Sequence, residues 1–307
     1  MIEISFMGGE PLLEFQLIQE ICEWVWQQNW PIPYYFFAST NGTLLTPEKR
    51  EWFEQNKDKF VLGLSIDGTM QMQMINRGEL STKIDTDFFI DTWPSQNVKC
   101  TISMESMSTL AEGIIHLHEL GFSKISANLA FGIDWEMGHL KEYKNQLLKL
   151  VDYYKLHPQI NRCSLLDMDL NSILDFTRSY EKFCGCGVST TLFDCDGKEY
   201  PCPVFSPITL SKERLDSLSA IDFSDTDSFI SKECKECVLH RSCPKCYGMN
   251  FVQTGNPASQ NAFYCKAYKI QLLANCVLME YLLCQGLITG ELAERNRNVL
   301  RILQYIL

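Results

Sequence analysis

Eight cysteines crowd the C-terminal half of this 307-residue chain: Cys184, Cys186, Cys202, Cys234, Cys237, Cys243, Cys246 and Cys265, with Cys195 among them. They fall within about eighty residues at short, uneven spacings, too many and too close for core packing alone. Thiolates bind soft metals, and a Cys-x-x-Cys turn lets two of them grip one metal. Cys234-x2-Cys237 followed by Cys243-x2-Cys246 is the sharpest local signal. Zinc takes four such ligands in a tetrahedral site, and iron–sulfur clusters use the same ligand type. That segment alone leaves a zinc-binding scaffold and an iron–sulfur protein level. Closing a zinc site there would leave Cys184, Cys186, Cys202 and Cys265 over, in a chain with five histidines and none near them. The surplus favours two centres of the iron–sulfur type.

The chain has fourteen cysteines in all. Its start, Met1-Ile2-Glu3-Ile4-Ser5-Phe6, lacks the basic residues and long apolar run of a secretion signal. Outside secreted proteins, cysteine clusters bind metal more often than they cross-link, which points to a cytoplasmic metalloprotein. A hydrophobic fraction of 46% and a charged fraction of 21% are those of an ordinary globular protein. A net charge of -11 argues against broad binding to nucleic-acid backbones, which needs excess Lys and Arg. The most apolar stretch, 270–288, is interrupted by Gln271, Asn275, Glu280 and Gln285 at helical spacing. It reads as an amphipathic packed helix, so no membrane span is expected.

Strand and helix patterns alternate through the first half. Strands are expected over 2–6, 34–38, 61–66, 98–104 and 124–131, and helices over 13–28, 47–56, 108–120 and 138–156. Strands separated by helices of roughly ten or more residues imply parallel βαβ units. Ligands of such sheets bind at the C-terminal strand ends. Three of those ends carry polar, glycine-containing turns: Gly8-Gly9-Glu10-Pro11, Ser39-Thr40-Asn41-Gly42 and Ser65-Ile66-Asp67-Gly68. All three are expected at one mouth. Near residue 158 the alternation stops, and cysteines and prolines appear. Asp194-Cys195-Asp196-Gly197 reads as a hairpin turn. A polar connector over 208–231 precedes closing helices over 261–285 and 290–306.

The thiol order resembles the SPASM domain of radical S-adenosylmethionine (SAM) enzymes. That pattern is a Cys, a Gly-x4-Cys, a Cys-x2-Cys-x5-Cys-x3-Cys, and a last Cys. Cys184, Gly197-x4-Cys202, Cys234, Cys237, Cys243 and Cys265 match it, with a gap of two instead of three before Cys246. Gly8-Gly9-Glu10-Pro11 resembles the family's GGEP motif, and the next two strand ends resemble its further SAM contacts. The resemblance covers nearly all of the chain. It implies an α/β fold: a partial (βα) barrel over 1–157, lacking its first strand–helix unit, then a small SPASM-like domain over 158–268 and C-terminal helices over 269–307. It implies SAM contacts at Gly8, Gly9, Glu10, Pro11, Ser39, Asn41, Ser65, Asp67 and Arg77. It also implies two auxiliary [4Fe–4S] clusters with interleaved ligands. One would sit on Cys234, Cys237, Cys243 and Cys265. The other would use Cys184, Cys202 and Cys246, with Cys186 or Cys195 as fourth ligand.

The family's defining Cys-x3-Cys-x2-Cys, whose cluster reduces SAM, occurs nowhere in this sequence. Two accounts are open. The chain is a shortened copy of a radical SAM enzyme, or it is a degenerate relative that passes electrons or binds a peptide. On either account the chain alone is expected to be inactive toward SAM, and its exposed first-strand edge needs cover. By resemblance, the whole enzyme would abstract hydrogen from a peptide or protein, drawing electrons from a flavodoxin or ferredoxin. Sulfatase-maturing members carry an Asp after the Gly-x4-Cys cysteine; here that position is Pro203, which counts against that activity. No catalytic base stands out. His116 and His118 read as structural, and turn or packing roles suit Tyr180, Asp194, Asp196 and Tyr200.

Overall fold

The computed structural model describes residues 1–78, 84–175 and 182–306. Tyr180 lies outside them. The chain forms two compact units, one of Met1–Ala130 with Asn145–Asp167 and one of Phe131–Lys144 with Met168–Leu307.

The first unit alternates strand and helix: β1 (Ile2–Phe6), α1 (Phe15–Trp26), β2 (Tyr34–Thr40), α2 (Pro47–Gln55), β3 (Phe60–Leu64), α3 (Met70–Arg77), α4 (Thr86–Thr92), β4 (Asn97–Ile102), α5 (Leu110–Glu119), β5 (Lys124–Leu129) and α6 (His139–Leu156), whose first turns fall to the second unit. β1, β2 and β3 form one parallel sheet, with Ile4 opposite Phe36 and Ala38 opposite Leu62. β4 and β5 pair in parallel. A bridge from Ser65 to Lys99 joins the two sheets, and the Ile66 amide donates to the Lys99 carbonyl at 2.9 Å. The five strands thus follow one another in chain order, as βαβ units require.

Alternation along the strands decides the core. Phe36, Ala38 and Thr40 of β2 and Val98, Cys100 and Ile102 of β4 point into it. Phe15, Ile18, Cys22 and Val25 of α1 and Ile114 and Leu117 of α5 are buried as well. The other stripe of α1 and its lead-in, Leu13, Leu17, Ile21 and Trp24, is exposed. β1 is an edge strand, and among the described residues no strand pairs with its outer side. α3 and α4 were not expected from sequence. They are 8 and 7 residues long, too short to show a clear period, and rest on the caps Thr69 and Asp85.

The second unit holds α7 (Leu170–Ile173), a hairpin of β6 (Leu192–Phe193) and β7 (Glu199–Tyr200), α8 (Lys212–Ser217), α9 (Lys232–Lys235), α10 (Tyr247–Thr254), α11 (Ala262–Cys284) and α12 (Gly290–Ile306). A small core of Cys186, Phe205, Leu210, Phe229, Tyr247 and Phe251 lies in its cysteine-rich part. α11 differs from a simple amphipathic helix. Gln271 and Asn275 are buried, while Leu273 and Val277 are exposed. Gln271 accepts from the Tyr143 hydroxyl at 3.2 Å, and Asn275 accepts from the Met168 amide at 3.0 Å. Buried amides are tolerable when they are hydrogen-bonded, and periodicity alone does not reveal the partners. No helix of the described residues is long and apolar enough to cross a membrane.

Candidate metal centres and cofactor site

The eight thiols of the second unit sort into two groups. The Cys186 thiol lies beside those of both Cys184 and Cys202. Sharing a proton among the three lowers Cys184 to about 6 and Cys202 to about 7, while Cys186 itself is pushed up. Burial raises Cys246, and its thiol neighbours are Cys202 and Cys184. Burial pushes Cys243 up to about 12, and its thiol neighbours are Cys265, Cys234 and Cys237. Cys265 is raised by burial and by Cys234 and Cys237. The first group is therefore Cys184, Cys186, Cys202 and Cys246, and the second is Cys234, Cys237, Cys243 and Cys265. Cys195 is exposed in the hairpin turn, where Asp194 accepts from the amides of Asp196 and Lys198, both at 2.9 Å.

Local backbone builds the groups. Gly185 and Gly187 have φ of 67° and 68°, conformations that suit glycine, and they curl the Cys184–Cys186 segment. A Cβ on Gly187 would lie 2.6 Å from the Phe223 Cβ. Ser231 caps α9 by accepting from the Cys234 amide, and the Cys237 amide donates to the Cys234 carbonyl at 3.2 Å. His240, between Cys237 and Cys243, meets the Cys234 carbonyl through Nδ1 at 3.1 Å. Sequence reading missed that role, because it is a backbone contact. Cys246 starts α10 while Cys243 lies in the loop before it, so the chain turns away between two cysteines three residues apart. Among the described residues, no three Cys, His, Asp or Glu side chains are arranged to hold a single metal ion.

In the first unit, the polar turns follow β1, β2 and β3. A Cβ on Gly8 or Gly9 would meet nothing within 4 Å, so open space lies beside this backbone. The Glu10 carboxylate accepts from the Leu12 amide at 3.1 Å, the Thr40 hydroxyl at 2.8 Å and the Asn41 amide at 2.8 Å. It ties the first turn to the second, and Pro11 begins the short helical turn after it. Ser39 and Ser65 share a hydrogen bond at 3.0 Å. Asn41 accepts from the Thr43 amide at 2.9 Å, closing its own turn.

The buried Asp67 pairs with the partly exposed Arg77, Nε to Oδ2 at 2.7 Å and Nη2 to Oδ1 at 3.0 Å. Asp67 also accepts from the Thr101 amide of β4 at 2.7 Å. Asn76 donates to the Thr101 carbonyl at 2.9 Å. Asp67, Asn76 and Arg77 thus lock the end of β3 to β4. Gly68 (φ 89°) makes this possible: a Cβ there would lie 2.7 Å from the Gly113 Cα of α5.

His118 is structural. Its Nδ1 donates to the Phe122 carbonyl at 3.1 Å, so Nε2 accepts from the Tyr154 hydroxyl at 2.9 Å. That hydroxyl accepts in turn from the Cys163 amide at 2.9 Å.

The chain is 24% identical over 303 residues to the cysteine-type anaerobic sulfatase-maturating enzyme of Clostridium perfringens, covering 86% of this chain and 79% of that enzyme. The same enzyme from strain 13 is 23% identical. Among solved structures, that enzyme (anSMEcpe) with bound AdoMet and the Cp18Cys peptide superposes with a TM-score of 0.64 at 20% identity, over 98% of this chain and 86% of that one. Streptococcus suis SuiB gives 0.54 at 16% identity, over 85% of this chain and 66% of that one. No protein-family model matches the chain. The structural likeness shows a shared fold.

Proposed function

We propose that this chain is an iron–sulfur protein of the radical SAM maturase type. On this reading the first unit is a partial barrel and the second holds two auxiliary [4Fe–4S] clusters. The observation that carries the reading is the interleaving of the thiols. A zinc site built on adjacent cysteines would keep Cys243 with Cys246. Instead Cys243 neighbours Cys234, Cys237 and Cys265, while Cys246 neighbours Cys184 and Cys202. Cys186, and not Cys195, completes the first set.

In a complete enzyme, SAM with its reducing cluster supplies hydrogen abstraction. The residues here would do simpler work. The Gly8-Gly9 backbone would admit the ligand, Ser39 and Ser65 would hydrogen-bond it, and Glu10, Asp67 and Arg77 would hold the turns in register. The substrate class is a peptide or protein, as in the relatives with bound peptides, and the reductant a flavodoxin or ferredoxin. Pro203 opens a three-residue turn and offers no carboxylate after Cys202, so a substrate other than a sulfatase is favoured.

Because Cys-x3-Cys-x2-Cys is absent from the sequence, the 307 residues alone would not cleave SAM. A second reading of the same thiols is an iron–sulfur electron carrier or peptide-binding relative. Anaerobic reconstitution with iron and sulfide tests both. The expected product is brown and carries roughly eight irons and eight sulfides per chain. With dithionite and SAM it yields no 5′-deoxyadenosine. A colourless, zinc-loaded product would overturn the iron–sulfur assignment. Turnover of SAM would overturn the inactivity.

A further inference from the structure

The second unit buries two lysines, Lys182 at 5% exposure and Lys245 at 4%. A buried ammonium is costly unless something anionic or polar repays it. The Lys182 Nζ donates to the Cys186 carbonyl at 3.0 Å and the Phe223 carbonyl at 2.5 Å. It stands 3.6 Å from the Phe229 ring centroid and 5.4 Å from that of Phe223. Two carbonyls and two aromatic faces therefore fix the cation in place. They use two of its three N–H donors, which leaves one for a sulfur. Among the described residues no carboxylate lies within ion-pair distance of it.

We propose that Lys182 is the internal counter-cation of the first thiol group's cluster and holds its reduction potential up. This rests on the two-cluster reading above. A four-iron cube on four thiolates is anionic, and reduction adds one more negative charge in a poorly solvated site. A fixed cation beside the ligands stabilises the reduced state more than the oxidised one. It also explains why an apolar core tolerates a lysine. Lys182 is a positioning residue that acts through charge.

The test compares the reconstituted wild-type chain with Lys182→Met and Lys182→Arg. Iron and sulfide are counted, and the reduction of each cluster is followed by EPR-monitored titration. Cys202→Ser identifies which wave belongs to the first cluster. In Lys182→Met the first wave should fall by at least about tenfold in its reduction equilibrium, about 59 mV for one electron. The second wave should stay in place, and Lys182→Arg should track the wild type. Loss of the first cluster in Met with retention in Arg also supports the assignment. Loss in both, an unmoved first wave, or equal movement of both waves overturns it. Wild-type protein that takes up no iron and sulfide defeats the two-cluster reading itself, which separates that failure from this one.

Discussion

Cys186 shows how much one side chain can organise before any metal arrives. It lies beside Cys184 and Cys202, and sharing a proton among the three thiols lowers those two while Cys186 is pushed up. His118 illustrates the reverse case, a titratable group removed from chemistry by burial. Its pKa is lowered, with desolvation the largest cause, so the fold holds it neutral. The unfolded chain, with histidine near 6.5, then binds more protons than the fold as pH drops below that value. Stability from this site is fully present above about pH 6.5 and is lost as pH falls through the folded pKa. The melting temperature should fall between pH 7 and pH 5, and fall less in His118→Gln. Parallel melting curves for the two proteins across that range would show that His118 is not the linked group.

At the element scale, the strand ends are held by hydrogen bonds that sequence motifs do not display. The family resemblance implies a SAM contact at Asp67. Its carboxylate is occupied by Arg77 and the Thr101 amide. These bonds join the end of β3 to β4, where among the described residues one bridge links the sheets. Asp67→Asn removes the charge under Arg77 and should destabilise the first unit by ~2–3 kcal/mol, the low side for a buried pair because Arg77 is partly solvated. Chemical unfolding under anaerobic conditions measures this. A change below about 0.5 kcal/mol, the size of an ordinary surface substitution, would show that the pair does not lock the strands. α1 illustrates a different limit. Its two apolar stripes read alike in sequence, yet one is core and the other, through Leu17 and Trp24, is exposed.

At the scale of the whole molecule, the units differ in what sustains them. The first has strand-backed packing from Phe36 to Val151. Among the described residues, the cysteine-rich part of the second has a small core around Phe205, Phe229, Tyr247 and Phe251 and very short strands. Small cores of this kind need a metal or cross-link. Stripping iron should raise hydrogen exchange around Phe205, Phe229 and Tyr247 and leave β2 to β4 protected. Unchanged exchange in that core would show that the clusters do not support it. The sequence by itself determined the βαβ alternation, most element limits, the hairpin at Asp194 and the eight candidate thiols. These are local properties, written in periodicity, caps and spacing. Only the tertiary structure decided that Cys243 lies near Cys234, Cys237 and Cys265 while Cys246 lies near Cys184 and Cys202, that Cys186 lies beside Cys202, and that the Asp67 carboxylate accepts from Arg77 and the Thr101 amide. It also decided that Lys182 is buried beside thiols. Each of these depends on where distant segments meet, and chain spacing carries no record of that distance.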